Sequence, residues 1–179
     1  MQILNKTIIK TPIGDMIALA DENVLYCLEF IERNNLDANI KRLVHQQKAV
    51  LVSKITPPLR SIKQELDAYF SSIFRDFQTP IHIRGTTFQQ KAWQALRQIP
   101  YGETRSYLEQ AQMINKPSAC RAVAHANSKN QFAIIIPCHR IIRSDNTLGG
   151  YAAGVARKQW LLKNEAYYSL QQAHHRQIN

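Results

Sequence analysis

The run Ile134-Ile135-Ile136-Pro137-Cys138-His139-Arg140 constrains this chain more than any other stretch. Three consecutive β-branched residues read as a short strand buried on both faces. Pro137, which has no N–H for the next ladder bond, ends it. Cys138 then falls at a strand exit, followed by an imidazole and a guanidinium. Neighbouring cations lower a thiol pKa from its free value of ~8.5 and so favour the nucleophilic thiolate. Two readings of Cys138 stand on this pattern. It is an activated nucleophile, or it is one more buried small hydrophobe, as most free cysteines are, with His139 on a surface turn.

A chain of 179 residues suffices for one ordinary core or two small ones and buries roughly 70% of its unfolded surface. Its start, Met1-Gln2-Ile3-Leu4-Asn5-Lys6, has no basic region leading into an apolar run, and no window approaches the ~18 apolar residues of a membrane span. A soluble, cytoplasmic protein without a membrane partner is expected. Cys27, Cys120 and Cys138 are odd in number and lack framework spacing, which favours a reducing compartment over a disulfide scaffold. Paired Cys-x-x-Cys or His-x-x-x-His sets are missing as well, so neither a metal nor a cofactor is expected. Charge is more informative. The formal net charge is +10, and residues 81–179 hold 13 of the 23 Lys and Arg but only 4 of the 13 Asp and Glu. Such asymmetry suits a polyanion, usually nucleic acid, with a merely soluble basic surface as the bland reading.

Residues 1–80 read as a small supporting α/β domain. Thr7 to Lys10, Met16 to Ala20 and Val24 to Phe30 alternate with turn residues as an antiparallel meander. Leu36, Ile40, Leu43 and Val44 fall at helical spacing, as do Leu59, Ile62, Leu66, Tyr69 and Phe70 after Pro57-Pro58. Cys27 and His45 are isolated, so no constellation for chemistry lies here. The segment from Asp76 to Gly85 reads as an extended connection, with a domain boundary within about ten residues of Pro80.

Residues 81–166 read as the second domain, with a tail at 167–179. Thr87 and Gln90 have capping-box spacing and open a helix with Phe88, Ala92, Ala95, Leu96 and Ile99 on one stripe. Ser106 and Glu109 form another box ahead of Tyr107 to Ile114, and Ser118 is placed to cap a helix starting at Ala119. Helix, short turn, helix is a common way to address DNA, and equally a common core arrangement. Arg121 falls in the first turn of the second helix, where a cation opposes the dipole, so it answers to something outside the helix. Ala119, Ala122, Ala124 and Ala126 allow close approach of a large partner. Asn130 can fix a turn through its side chain. Past Cys138, Ile141-Ile142 is a second extended piece, and Leu148 to Gly154 is a small-residue loop where backbone can meet a flat ligand. Arg157 to Glu165 reads as a helix with Trp160 and Leu161 inward. Glu165, poorly placed for the dipole near the end of that helix, engages His139 on this reading. The Gln- and His-rich tail reads as a frayed end.

Ile99-Pro100-Tyr101-Gly102-Glu103-Thr104-Arg105-Ser106-Tyr107, Arg121-Ala122-Val123, Ile136-Pro137-Cys138-His139-Arg140, Gly150-Tyr151 and Lys158-Gln159-Trp160-Leu161-Leu162 through Glu165 make residues 86 to 165 closely resemble the O6-alkylguanine-DNA alkyltransferases. The N-terminal unit matches loosely. The resemblance implies an α/β (α+β) protein. A small sheet-plus-helix domain precedes a mostly helical one that carries a helix-turn-helix and a short buried strand leading to the Pro-Cys-His-Arg motif. It implies a monomer acting on double-stranded DNA that contains O6-alkylguanine, and also O4-alkylthymine. Cys138 would take the alkyl group as a thioether, once per molecule, from a base flipped out of the stack. Arg121 would hold the vacated space, and Tyr107 would rotate the nucleotide and donate its phenolic hydrogen. Ser106, Ala119 and Ala122 would lie on the DNA, in the minor groove. Tyr151, Ala152, Ala153 and Ile141 would line the base. His139 would be the general base for Cys138 through a water, with Glu165 orienting it and Asn130 fixing the turn.

The sequence departs from the family pattern at Gln131, where proline is usual, at Ala124, where glycine is common, and at Ala153, in place of the first glycine of a pair. Added bulk near the base predicts poorer handling of large adducts than of methyl. Two rival readings stand on the same residues. A cysteine hydrolase would need an oxyanion hole that nothing in the sequence supplies. A helix-turn-helix sensor or regulator would bind lesions and transfer nothing.

Overall fold

The computed structural model describes residues 1–71 and 76–177, with side chains through Leu170. The first 83 residues and those from Arg84 onward form separate units.

In the first unit, strands β1 (Gln2–Ile9), β2 (Met16–Ala20) and β3 (Leu25–Phe30) form the antiparallel meander that the sequence predicts. A fourth strand, β4 (Ala49–Val52), was not expected. It pairs parallel to β1 from Gln2↔Ala49 to Asn5↔Val52, giving the order β3-β2-β1-β4. Its four apolar residues are too few to display a period, and its half-exposed edge position hides it further. Helix α1 (Leu36–Gln47) sets Leu43 against Leu4, Leu19, Tyr26 and Cys27. Helix α2 (Pro57–Phe70) buries Leu59, Ile62, Leu66 and Tyr69. Every residue of β3 is buried, so that strand is covered on both faces. Glu65 of α2 accepts the N–H groups of Gln78 and Thr79 at 2.8 and 3.0 Å, and His82 donates to Leu25 O at 2.8 Å. The connection is therefore extended, and it is tied down along its length.

The second unit begins with α3 (Thr87–Arg97). Its cap is Thr86, whose hydroxyl accepts from Gln89 N while Gln89 Oε1 accepts from Thr86 N. The expected Thr87–Gln90 box is thus displaced by one residue, since both pairs share the three-residue spacing. Strand β5 (Arg105–Ser106) leads into α4 (Tyr107–Met113), capped by Ser106 with Glu109 as predicted. Helix α5 (Cys120–Ser128) follows, with Ala119 at its cap and no side-chain capping bond, so Ser118 does not play the role expected of it. Ala92, Ala111, Val123 and Ala126 form the core between α3, α4 and α5.

The largest correction concerns Ile134, Ile135 and Ile136. All three are buried, as expected, but they form a tight turn instead of a strand. Ile134 sits at φ +72°, which no strand residue adopts and which is costly for a β-branched side chain. The turn persists because the Asn130 side chain fills it. Asn130 Nδ2 donates to Ile136 O at 2.8 Å, and its Oδ1 accepts from Phe132 N at 2.9 Å. A 3-10 turn, Cys138–Arg140, follows Pro137, and β6 (Ile141–Ile142) then pairs parallel with β5. Helix α6 (Val155–Gln177) starts two residues before the predicted one and runs on to Gln177, where the sequence predicts a frayed tail. Glu165 is therefore mid-helix, so its position owes nothing to a helix end. Residues 178 and 179 of the expected tail lie outside the described residues. Among the described residues no helix is long and apolar enough to cross a membrane, and no cluster of His, Cys, Asp and Glu could hold a metal.

Candidate active site

Cys138 opens the 3-10 turn, half-buried, with its sulfur accepting from Asn130 Nδ2 at 3.3 Å. Asn130 thus serves two ends: one carboxamide shapes the turn and also touches the sulfur that the turn presents. A thiolate accepts such a bond more strongly than a thiol does, so the contact favours the charged form.

The β5–β6 pairing brings a second element to the sulfur. Ser106 is in register with Ile142, so Tyr107, the next residue, starts α4 close to the exit of the Cys138–Arg140 turn. Burial, and then the negative charge of Cys138, push the Tyr107 hydroxyl pKa up, with Arg143 opposing. Tyr107 is thereby kept as a proton donor. Its hydroxyl lies against Gly149, where φ is +67° and a Cβ would approach to 3.2 Å. Glycine at this position lets the loop backbone close over the phenol.

Behind Cys138 lies a buried ionic cluster. His139 is wholly buried, and its Nε2 meets Glu165 Oε1 at 2.8 Å. Arg140 grips the same carboxylate with Nε at 2.8 Å and Nη2 at 3.0 Å, sends Nη1 to Ile99 O at 2.6 Å, and Gly102 N adds a further donor to Glu165 at 3.1 Å. Burial works to raise the Glu165 pKa, but His139 and Arg140 outweigh it and hold the carboxyl ionised, well below the usual range. Burial also lowers the His139 pKa below 6.5, against the pull of Glu165. The imidazole is therefore neutral near pH 7. With Glu165 as acceptor, the ring proton is assigned to Nε2, which leaves Nδ1 as the basic lone pair. Nδ1 is buried and has no hydrogen-bond partner among the described residues.

Sequence reasoning passed over Lys158. Its ammonium group is buried and donates to Ile141 O and to Gly150 O, the latter at 3.2 Å. Burial pushes its pKa down to about 8, the Cys138 thiolate works against that fall, and Arg143 adds to it. A signal was available: Lys158 lies three residues before Leu161 and seven before Glu165, on the stripe that faces inward.

The remaining expected site residues fall in two groups. Tyr151, half-buried, meets the His139 ring edge-on with centroids 6.4 Å apart; Ala153 is buried beside it, Ala152 is exposed, and Ile141 is buried under the Lys158 bond. Ala153 is not in the left-handed region, so its methyl is accommodated without backbone strain. Arg121 and Ala122 are exposed on the first turn of α5, Ala119 is half-buried at its cap, and the Ser106 hydroxyl is taken up in capping α4.

Comparison with known proteins agrees with this geometry. Residues 87–167 match the family model described as 6-O-methylguanine DNA methyltransferase, DNA binding domain. The chain is 42% identical over 158 residues to the methylated-DNA–protein-cysteine methyltransferase of Methanosarcina barkeri (strain Fusaro), covering 88% of this chain and 94% of that one. It is 36% identical to the constitutive enzyme of that name from Bacillus subtilis, covering 88% and 92%. The crystal structure of Mycobacterium tuberculosis O6-methylguanine methyltransferase superposes with a TM-score of 0.79 at 36% identity, over 92% of this chain and 94% of that one. A structure of M. tuberculosis OGT in complex with DNA superposes with a TM-score of 0.78, over 93% and 94%. With the sequence aligned over most of its length and the fold shared over the same span, this chain belongs to the methylated-DNA–protein-cysteine methyltransferase family.

Proposed function

We propose that this protein repairs DNA by moving the alkyl group of an O6-alkylguanine in duplex DNA onto its own Cys138, irreversibly and once per molecule. The observation that carries the reading is a cysteine whose sulfur is held by Asn130 and whose neighbour in the chain is a buried, neutral, carboxylate-backed imidazole. His139 Nδ1 takes the thiol proton through a bridging water, and Glu165 fixes the tautomer and stabilises the imidazolium. The thiolate attacks the alkyl carbon, the S–C bond forms and the C–O6 bond breaks. Its electron pair returns to the guanine, where the Tyr107 hydroxyl donates toward the developing charge. The product thioether offers water no route back, so the protein is consumed.

Reaching an O6 atom requires the nucleotide to leave the stack. Arg121, exposed on the first turn of α5, enters the duplex in its place, and Ala119, Ala122 and the Ser106 turn lie along the minor groove. The backbone from Tyr151 to Ala153, with Ile141 behind it, receives the base. O4-alkylthymine presents the same alkyl–oxygen bond and is a second substrate. One copy of the chain suffices, with residues 1–80 as a supporting unit, and the expected compartment is the cytoplasm.

The test is intact-mass and peptide-mass analysis after mixing the protein with a duplex that carries one O6-methylguanine. The expected result is one methyl group on the Cys138 peptide, stopping at one equivalent, and none with Cys138→Ala although DNA affinity survives. Tight lesion-dependent binding without any mass gain would replace this reading by that of a damage sensor.

A further inference from the structure

Gln110 and Asn127 form a closed amide pair in the core between α3, α4 and α5. Gln110 Nε2 donates to Asn127 Oδ1 at 2.9 Å, and Asn127 Nδ2 returns a bond to Gln110 Oε1 at 2.7 Å. Gln110 Nε2 also reaches Ala92 O on α3 at 3.2 Å. One carboxamide therefore ties all three helices together. Gln110 is wholly buried and Asn127 nearly so, in the company of Ala92, Ala111, Val123 and Ala126.

Stability does not explain the pair. Two apolar side chains of similar volume would fill the space without desolvating four polar groups, and such replacements are often neutral or stabilising. Direction is what hydrogen bonds add. A reciprocal amide pair has one good geometry, whereas apolar surfaces tolerate small slides.

The pair's location says what that direction serves. Gln110 lies three residues after Tyr107, on the same side of α4. Asn127 lies three residues before Asn130 and accepts its N–H at 3.1 Å. Asn130 touches the Cys138 sulfur, and Tyr107 stands over the Gly149 loop beside it. Arg121 is on α5 as well, two turns before Asn127. The amide pair is thus one helical turn from each of two groups that surround the sulfur, and it sits on the helix whose other end faces DNA.

We propose that the Gln110–Asn127 pair is a positioning device for alkyl transfer: by locking α4 to α5 in one register, it sets Tyr107 and Asn130 about Cys138 and makes the Arg121 helix and the sulfur's surroundings move together. The inference rests on the alkyl-transfer reading above. Neither residue touches the reacting atoms, so both act through Tyr107 and Asn130.

The test compares wild type with two double variants. Gln110→Met with Asn127→Leu removes the amides at similar volume. Gln110→Asn with Asn127→Gln exchanges them and keeps an amide on each helix. The measurements are the melting temperature, the single-turnover transfer rate from an O6-methylguanine duplex, and the pH profile of Cys138 alkylation by iodoacetamide without DNA. For the apolar pair we expect a melting temperature equal to or above wild type, transfer slower by about tenfold or more, and a displaced iodoacetamide profile. The exchanged pair should recover most of the transfer rate. An apolar variant with wild-type transfer and profile would overturn the proposal. Should that variant fail to fold, the exchanged pair decides, and a folded exchanged pair with transfer reduced by about tenfold or more would overturn it. If wild type transfers nothing, the alkyl-transfer reading itself fails and this inference falls with it; active wild type beside unaffected variants would remove this inference alone.

Discussion

The two units of this protein bury different kinds of atoms. In the first, the interior is Leu, Ile, Ala and aromatic side chains across a four-stranded sheet, and its buried polar residues, Asn5, Glu29, Thr56 and Thr79, are scattered. In the second, Gln110, Asn127, Asn130, His139, Arg140, Lys158 and Glu165 are all buried, and five of the seven lie within one hydrogen bond or one charge interaction of the Cys138–Arg140 turn. Burying polar groups costs free energy unless each finds a partner. A chain concentrates that cost where it needs fixed dipoles and shifted protonation states, which is at the chemistry.

The sharpest way to break this contrast is at Glu165. Glu165→Gln leaves the buried Arg140 guanidinium without its counter-charge, and removing one partner of a buried pair costs about 3–5 kcal/mol. It also replaces the carboxylate that holds the His139 tautomer by an amide whose single acceptor oxygen cannot serve His139, Arg140 and Gly102 together, so transfer should fall by about 100-fold or more. Urea titration and single-turnover kinetics check the two losses separately. The same cluster makes stability depend on pH. Folded His139 has its pKa below the ordinary 6.5 and folded Glu165 below the ordinary 4.5. In both cases the unfolded chain takes up the proton first, so acid favours unfolding. Melting temperature should be level between pH 6.5 and about 8, where Lys158 begins to titrate, and decline as the pH drops below 6.5, with Glu165 adding to the loss below pH 4.5.

Asn130→Ala comes next. It strips the partner from Phe132 N, takes from Ile136 O one of its two donors, the other being Cys138 N at 2.8 Å, and removes a carboxamide that donates to the Cys138 sulfur. Each buried group left unsatisfied costs about 1–3 kcal/mol, and Ile134 loses what holds it at positive φ. Transfer should slow by about 30-fold as the thiol pKa rises, which the pH profile of iodoacetamide labelling would show. A variant that labels like wild type would mean that the turn is shaped without this carboxamide.

Lys158 sharpens the contrast because its two effects have opposite signs. Lys158→Met keeps the length of the side chain and removes a buried cation that donates to two carbonyls. The thiolate loses a nearby positive charge, so its pKa should rise and transfer should slow by about tenfold near pH 7. Relief of the desolvated ammonium offsets the lost hydrogen bonds, so the melting temperature should change little. Equal transfer rates across pH 6 to 9 (roughly the range over which such a thiol titrates) would show that the lysine serves only to hold the Gly150 loop.

These differences also explain what could be read from the sequence. The meander, α1, α2 and the Ser106–Glu109 box were legible because period and capping are local. The pairing of His139 with Glu165 was legible through the family resemblance, whereas the separate argument from a helix end fails, since α6 continues to Gln177. The turn at Ile134–Ile136 was not legible, because three isoleucines in a row carry a strand propensity that one buried asparagine overrides. Lys158 lay on the inward stripe, yet a lysine there reads as an exposed charge until the half-buried Cys138 and two carbonyls are known to lie near it. Short-range patterns found the scaffold, while the site depended on contacts between residues far apart in the chain.

The mildest prediction addresses the first unit. Leu43→Ala opens a cavity against Leu4, Leu19, Tyr26 and Cys27 and should cost about 2–5 kcal/mol of stability. Asn130, which touches the Cys138 sulfur, and Tyr107 and Lys158, which interact with its charge, all lie beyond Arg84, so transfer per folded molecule should stay within about twofold of wild type. Counting methylated Cys138 against the folded fraction, by mass and circular dichroism on the same sample, separates the two quantities. A fall in transfer that exceeds the loss of folded protein would show that packing in the first unit tunes the chemistry of the second, and the division of labour between an apolar support and a polar site would have to be given up.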